Sequence, residues 1–280
     1  MVPMIRIGMS TSCVYPLSTE DAFRLAKAAG FDGVEIMITN DPTTRDAAGL
    51  NELSRRFELP ILSVHAPVLL LTQFVWGLDA NRKLERSAQL ANAIGAPTVV
   101  VHPPFRWQAR YAQSFERTIR ELSTRYGVEL AVENMFPWKL GPVTLRGYSP
   151  SPDPVLADCD AITLDFSHAS LGGRDSLEFA MTMGDRLRHV HLCDGPGSMA
   201  DGFLFDEHRV PGRGTQPVAE VLEYLAGTGW SGSIVAEVNT HAAKNVRGRL
   251  EMLVETRDFA QRHLAAARAT RPRSTRSESA

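Results

Sequence analysis

Short apolar, β-branched runs alternate along this chain with longer segments in which apolar positions recur every three to four residues. The runs are IRIGM (5–9), GVEIM (33–37), ILSVH (61–65), TVVVH (98–102), ELAVE (129–133), AITLD (161–165), RHVHL (188–192) and SIVAE (233–237). They are near-continuous in apolar character, as parallel strands covered on both faces should be. Between them helices are predicted over 18–29, 45–57, 79–94, 110–125, 173–184, 216–227 and 244–266. The first opens on Ser18-Thr19-Glu20-Asp21, which supplies a cap and acids for the first turn, and it closes before Gly30. In 79–94, Leu84, Ala88, Ala91 and Ile94 share one face and Gly95 ends the segment.

Eight strands whose ends recur about every 30 residues, each followed by a helical segment, describe repeated βα units. An open doubly wound sheet would carry a glycine-rich turn after its first strand, and the sequence there is GMSTSCVYP. A closed barrel of eight such units needs about 250 residues, and the chain has 280. The expected fold is therefore α/β, a single (β/α)8 TIM barrel over residues 1–267. Residues 268–280 (RATRPRSTRSESA) are polar, lack apolar periodicity and are expected to form a disordered basic tail. Two loops are long, 134–159 with Pro and aromatics and 193–215 with Gly, and long loops in a compact fold tend to be functional.

Composition narrows the class. At 44% hydrophobic and 22% charged, the chain has the make-up of an ordinary globular enzyme. Its start lacks the basic and apolar regions of a signal peptide, and no window reaches the roughly 20 apolar residues of a membrane span. Cys13, Cys159 and Cys193 are too few and scattered for a disulfide framework, so a reduced, cytoplasmic protein is expected. The formal charge of −2 is distorted by the tail, whose four Arg and one Glu leave 26 basic and 31 acidic residues elsewhere. That acidic body argues against a surface built to grip duplex nucleic acid.

Polar residues at the C-terminal ends of barrel strands point into the active-site mouth. Here those ends carry His65, His102, Glu133, Asp165, His191 and Glu237, with His168 three residues beyond Asp165 and Asp206 and His208 in the loop after strand seven. One such residue would more often cap a helix than do chemistry. Crowded carboxylates repel one another, however, and three acids on one rim call for a cation. Imidazole beside carboxylate is a usual ligand set for zinc, manganese or cobalt. A divalent-metal site at the strand ends is expected. Cys193 is expected to be a small buried thiol, and His189 to pack in a lower layer of the barrel.

The series SVHAP, VVVHPP, LAVEN, LDFSHAS, HVHLCDG, DEHRVPGRG and IVAEV resembles the xylose-isomerase-like superfamily of TIM barrels, over roughly residues 5–262. That group includes sugar-phosphate isomerases and epimerases, hydroxypyruvate isomerase and endonuclease IV. For the isomerase and epimerase members the resemblance implies one divalent ion (Mn, Co, Mg or Zn) held by Glu133, Asp165, His191 and Glu237. It implies proton transfer by Glu133 and Glu237 on opposite faces of a carbohydrate-like substrate, a sugar, sugar phosphate or keto acid, through a metal-stabilised enediolate. His168 and Arg213 of the PGRG turn would then bind substrate oxygens.

The endonuclease IV likeness implies a richer site of up to three zinc ions, suited to phosphodiester hydrolysis. His65, His102 and Glu133 would hold the first, Glu133, Asp165, His191 and Glu237 the second, and His168, Asp206 and His208 the third. The turn Asn134-Met135-Phe136-Pro137-Trp138, the apolar stretch after His65 and the acidic body depart from that pattern, so the isomerase or epimerase reading is preferred. Phe74, Trp76, Phe105, Trp107, Phe136 and Trp138 follow strands three to five. Trp107 and Trp138 are expected to wall the substrate, and the exposed aromatics suggest a homo-oligomer contact.

Overall fold

The computed structural model describes residues 5–67, 72, 74–140, 143–145, 147–195 and 206–270. Ten strands are present among them: β1 Arg6–Ser10, β2 Gly33–Met37, β3 Ile61–His65, β4 Thr98–Val101, β5 Glu129–Glu133, β6 Trp138–Leu140, β7 Val143–Leu145, β8 Ile162–Asp165, β9 Leu187–Leu192 and β10 Ser233–Ala236. Eight are parallel and close into a barrel in the order β1-β10-β9-β8-β5-β4-β3-β2. All eight predicted strands are present, with bounds within one residue of those read from the pattern. The short antiparallel hairpin β6–β7 was not predicted; it lies in the long loop after β5.

The helices are α1 Thr19–Ala29, α2 Ala47–Phe57, α3 Ala80–Ile94, α4 Ala109–Tyr126, α5 Phe166–Leu171, α6 Ser176–Met183, α7 Val218–Thr228 and α8 Val246–Thr270. Local chemistry sets their ends. Ser18 accepts from the Asp21 amide at the start of α1, and Asp79 accepts from the Asn81 and Arg82 amides at the start of α3. Gly30 and Gly95 end the same helices at φ 80° and 71°, where a side chain would be strained. In α4, Phe115, Ile119 and Leu122 recur on one buried face. Helix α8 continues to Thr270, three residues into the segment expected to be a disordered tail; residues 271–280 lie outside the described residues. No helix among the described residues is long and apolar enough to cross a membrane.

Side chains alternate across each strand, so the two faces of the barrel have different chemistry. Val99 and Val101, Leu130 and Val132, Leu164, Val190 and Leu192, and Ile234 and Ala236 join Phe23, Leu50, Phe115 and Phe166 in the apolar layer beneath the helices. The intervening residues face the barrel axis. Several of these are polar and buried: Glu35, Ser63, Thr163 and His189 in one tier, and His65, Glu133, Asp165 and His191 nearer the C-terminal ends. The apolar layer holds the barrel together, and the axis is left for polar work.

Candidate metal centre

Adjacent strand ends in parallel register bring the polar residues together. Asp165 is level with His191 across β8 and β9, and His191 is level with Val235, two residues before Glu237. Met37 pairs with His65 across β2 and β3. Asn134 ties β5 to β8: its Oδ1 accepts from the Asp165 amide at 2.7 Å, and its Nδ2 donates to the Asp165 carbonyl at 3.0 Å. Asp165 also caps α5, accepting from the His168 amide at 2.6 Å. The six-residue helix α5 therefore starts at the rim and turns His168 back over the cluster. The helix itself was missed in the sequence, because a six-residue segment is too short to show a periodicity.

Glu133 is the centre of the arrangement. Its Oε2 lies 3.3 Å from His65 Nε2 and 2.9 Å from His102 Nε2. Its Oε1 lies 3.1 Å from both His168 Nδ1 and His191 Nδ1. His191 Nδ1 is also 2.8 Å from Glu237 Oε2 and 3.8 Å from Asp165 Oδ2. On the loop side, His168 Nε2 is 2.8 Å from Asp206 Oδ2, and His208 places Nδ1 3.5 Å from Asp206 and Nε2 3.4 Å from Asp165. His208 stands at φ 41°, a left-handed conformation uncommon for a residue with a side chain. Its carbonyl accepts from the Asn239 amide at 2.8 Å, which holds the bend. All nine rim positions named from the sequence are thus in one connected cluster.

The electrostatics are those of acids and imidazoles neutralising one another. Burial would raise the Glu133 carboxyl, but His102, His191 and His168 hold it well below the usual range. Burial likewise opposes ionisation of Glu237, and His191 and His208 outweigh it and bring the carboxyl down to about 2. The histidines respond in the opposite sense. Burial would strip the proton from His208, yet Asp206 and Asp165 push its pKa up to about 9. His168 and His191 are also raised well above the ordinary histidine value, their acids overcoming burial.

This donor set fits a divalent cation. Ligand bonds of about 2.1 Å in tetrahedral array put donors roughly 3.4 Å apart, and the contacts at Glu133 and His191 mostly span 2.8 to 3.3 Å. Glu133 Oε2, His102 Nδ1 and His208 Nε2 are buried without a hydrogen-bond partner, a costly state that a bound ion would relieve at the carboxylate. Groups with ligand atoms close enough to hold an ion include His65, His102 and Glu133; His65, His191 and Glu237; His168, Asp206 and His208; Asp165, Cys193 and His208; and, one tier lower, Glu35, His189 and His191.

Other expectations fare differently. Arg213 is not brought to the cluster: its guanidinium forms a two-pronged pair with Glu255 of α8, Nε to Oε1 at 3.1 Å and Nη2 to Oε2 at 2.6 Å. The PGRG turn is instead organised by Asp194, a buried residue the sequence reading did not single out. Its carboxylate accepts from the amides of Gly195, Gly212, Gly214 and Gln216 at 2.8 to 3.1 Å. Trp107 and Trp138 do belong to one aromatic group with Phe105 and Tyr148. Trp107 stacks on Phe105 with centroids 4.3 Å apart and lies 5.7 Å from Trp138. Phe136 reaches the cluster itself, 5.1 Å from the His168 ring. Trp107 and Phe74 are largely exposed.

Ser12, Glu35 and Cys193 complete the surroundings. Ser12 donates to Glu237 Oε1 at 3.2 Å. Cys193 is a buried thiol 3.6 Å from Asp165 Oδ2. His189 lies one tier below, with Nε2 3.0 Å from Glu35 Oε2. Glu35 was missed although an acid between Val34 and Ile36 in an apolar run was a visible anomaly.

Residues 23–261 match the family described as the xylose isomerase-like TIM barrel. The chain belongs to that family. Among relatives of this xylose isomerase-like barrel is an uncharacterized protein of Mycobacterium tuberculosis (strain ATCC 25618 / H37Rv), 45% identical over 94% of this chain and 99% of its own length. Fructoselysine 3-epimerase of Escherichia coli O157:H7 is 22% identical over 84% of this chain and 91% of its own. Solved structures with the same fold include a D-tagatose 3-epimerase-like protein, at TM-score 0.68 and 23% identity over 94% of this chain and 98% of that one. An L-ribulose 3-epimerase matches at TM-score 0.67 and 18% identity, over 95% and 96%.

Proposed function

We propose that this xylose isomerase-like barrel is a divalent-metal-dependent sugar isomerase or epimerase, with Glu133, Asp165, His191 and Glu237 holding the ion and the two glutamates moving the proton. The observation that carries the reading is the convergence on His191 Nδ1 of three carboxylates, Glu133, Asp165 and Glu237, within 3.8 Å. A divalent cation bound among them would polarise a substrate carbonyl and its neighbouring hydroxyl, lowering the cost of removing the proton between them. Glu133 on β5 and Glu237 after β10 stand three strands apart around the barrel, so one can take a proton from a carbon and the other return it from another side. Ser12 and His191 hold the two Glu237 oxygens and fix its reach. Phe136 packs against His168 and would keep water from that side of the site. The aromatic group containing Trp107 and Trp138 would line the substrate. The names of the epimerase relatives support a carbohydrate-like substrate.

A second reading is favoured by one specific observation: His65, His102, His168, Asp206 and His208 join the same cluster. That surplus of ligands suits two or three zinc ions and a phosphodiesterase. Elemental analysis of gently purified protein, together with deuterium wash-in from D2O into ketoses and their phosphates, separates the two. About one Mn, Co or Mg per chain with wash-in supports the isomerase or epimerase. Two or three Zn with cleavage of abasic-site DNA supports the alternative. A chain that binds no divalent ion after reconstitution overturns both.

A further inference from the structure

A buried carboxylate lies beneath the cluster, and its neighbours define its task. Glu35 is in the middle of β2 and has no solvent exposure. It is level with Ser10 of β1 and Ser63 of β3. The Ser63 hydroxyl donates to Glu35 Oε2 at 2.8 Å, and His189 brings Nε2 to 3.0 Å of the same oxygen. His191 brings its Nε2 to the same carboxylate, hydrogen-bonded to Oε2 at 3.4 Å and 3.3 Å from Oε1, an oxygen that is otherwise unpartnered. The opposite nitrogen of that ring, Nδ1, is the one that meets Glu133, Asp165 and Glu237.

A neutral imidazole has one N–H and one lone pair, and whichever nitrogen keeps the proton leaves the other to bind a cation. We propose that Glu35 is a positioning residue for the candidate metal centre: by accepting the Nε2–H of His191 it holds that ring in the tautomer and orientation that present Nδ1 to a divalent ion. The inference rests on the metal-binding reading above. Ser63 and His189 fix Oε2 of the carboxylate from the lower tier, and His191 Nε2 meets the carboxylate so fixed. The flat face of the His191 ring is stacked on His65, centroids 5.5 Å apart and planes at 12°. Stacking resists tilting but not rotation within the plane, and the bond to Glu35 supplies that last restraint. A carboxylate sealed from water is costly unless paired. An apolar residue would pack this strand more cheaply, so a task in the site above accounts for the acid.

The test compares Zn2+ affinity of the full chain and its variants by competition with a chromophoric chelator. Glu35→Gln keeps the shape and removes the charge, and Zn2+ binding is expected to weaken roughly 10–100-fold, the usual cost of losing such a partner. Ser63→Ala, which only loosens Glu35, is expected to weaken binding less and in the same direction. In the 15N spectrum of histidine-labelled, zinc-loaded protein, His191 is expected to show a single Nε2–H tautomer that Glu35→Gln blurs. A purely structural acid would lower the melting temperature of the metal-free chain and leave Zn2+ affinity and the tautomer signal alone. A folded Glu35→Gln variant that binds within twofold of the unaltered chain overturns the proposal. If Glu35→Gln does not fold, unchanged affinity in both Ser63→Ala and His189→Gln overturns it equally. An unaltered chain that binds no Zn2+ overturns the metal reading, and this inference with it; tight binding that the variants leave intact overturns the inference alone.

Discussion

At the scale of single residues, the site is a set of acids and bases that share protons when no cation is present. In the proposed reaction Glu237 is the more accessible of the two acids, since it is slightly open while Glu133 is sealed below the histidines. Glu237→Gln is expected to cut turnover by about 100-fold or more, the range of acid–base catalysis, with the circular dichroism spectrum unchanged; full deuterium wash-in by that variant would remove Glu237 from the mechanism. The pH dependence follows from the shifts. His208 has its pKa raised from 6.5 to about 9, so its contribution to the metal-free fold is complete below the ordinary histidine value and is lost as pH rises through about 9. Glu237 is lowered to about 2, so its contribution is present above the ordinary carboxylate value and fades as pH falls toward that figure. The melting temperature of chelated protein should therefore decline between pH 7 and 9. A cation bound at His191 would displace the proton that its carboxylate neighbours favour there, so affinity should climb as pH rises and calorimetry in two buffers should register proton release.

At the scale of elements, the site depends on loops held by the backbone as much as on strands. The segment carrying Asp206, His208 and the PGRG turn is fastened to the end of β9 by the Asp194 carboxylate, which takes the amides of Gly212, Gly214 and Gln216, and by the backbone pair Asp194–Arg209. A Cβ on Gly214 would come within 2.2 Å of Asp194 Oδ1, so only glycine fits there without moving the anchor. Asp194→Asn turns an acceptor into a donor facing amides, and each stranded amide costs about 1–3 kcal/mol. Both Asp194→Asn and Gly214→Ala are expected to lower stability by at least about 2 kcal/mol and to make 206–216 sensitive to limited proteolysis. Resistance equal to that of the unaltered chain would show the loop to be held by other contacts. Helix α5 is fastened by the same logic, with Asp165 both its cap and a member of the cluster.

At the scale of the whole molecule, a cation ligated from β5, β8, β9 and the end of β10 would tie half of the barrel circumference together. Ligand bound at 100 times its dissociation constant adds about 2.7 kcal/mol to stability, which for a chain of this size corresponds to roughly 5–10 °C. Chelation is expected to lower the melting temperature by that order, and His191→Ala to abolish the difference between loaded and chelated protein. An equal drop on chelation in His191→Ala would place the stabilising ion elsewhere.

How much of this was legible in the chain varies with the range of the interactions. The barrel was readable because each βα unit is specified locally: β-branched runs, Ser18 and Asp79 at helix starts, Gly30 and Gly95 at helix ends. Of the rim residues, His168, Asp206 and His208 follow strand ends and were read from the segments beside them. The other six, His65, His102, Glu133, Asp165, His191 and Glu237, were readable because a strand of known length has a known end and a barrel sends all such ends to one mouth. Glu35 escaped for the same reason, since it lies mid-strand and its partners Ser63, His189 and His191 are 28 to 156 positions away in sequence. The direction of Arg213 toward Glu255, 42 residues on, likewise has no local signature. Residue type and period set the strands, the helices and the polar rim; closure of the barrel alone decided which nitrogen of which histidine meets which acid, because those contacts exist only once distant strands share one axis.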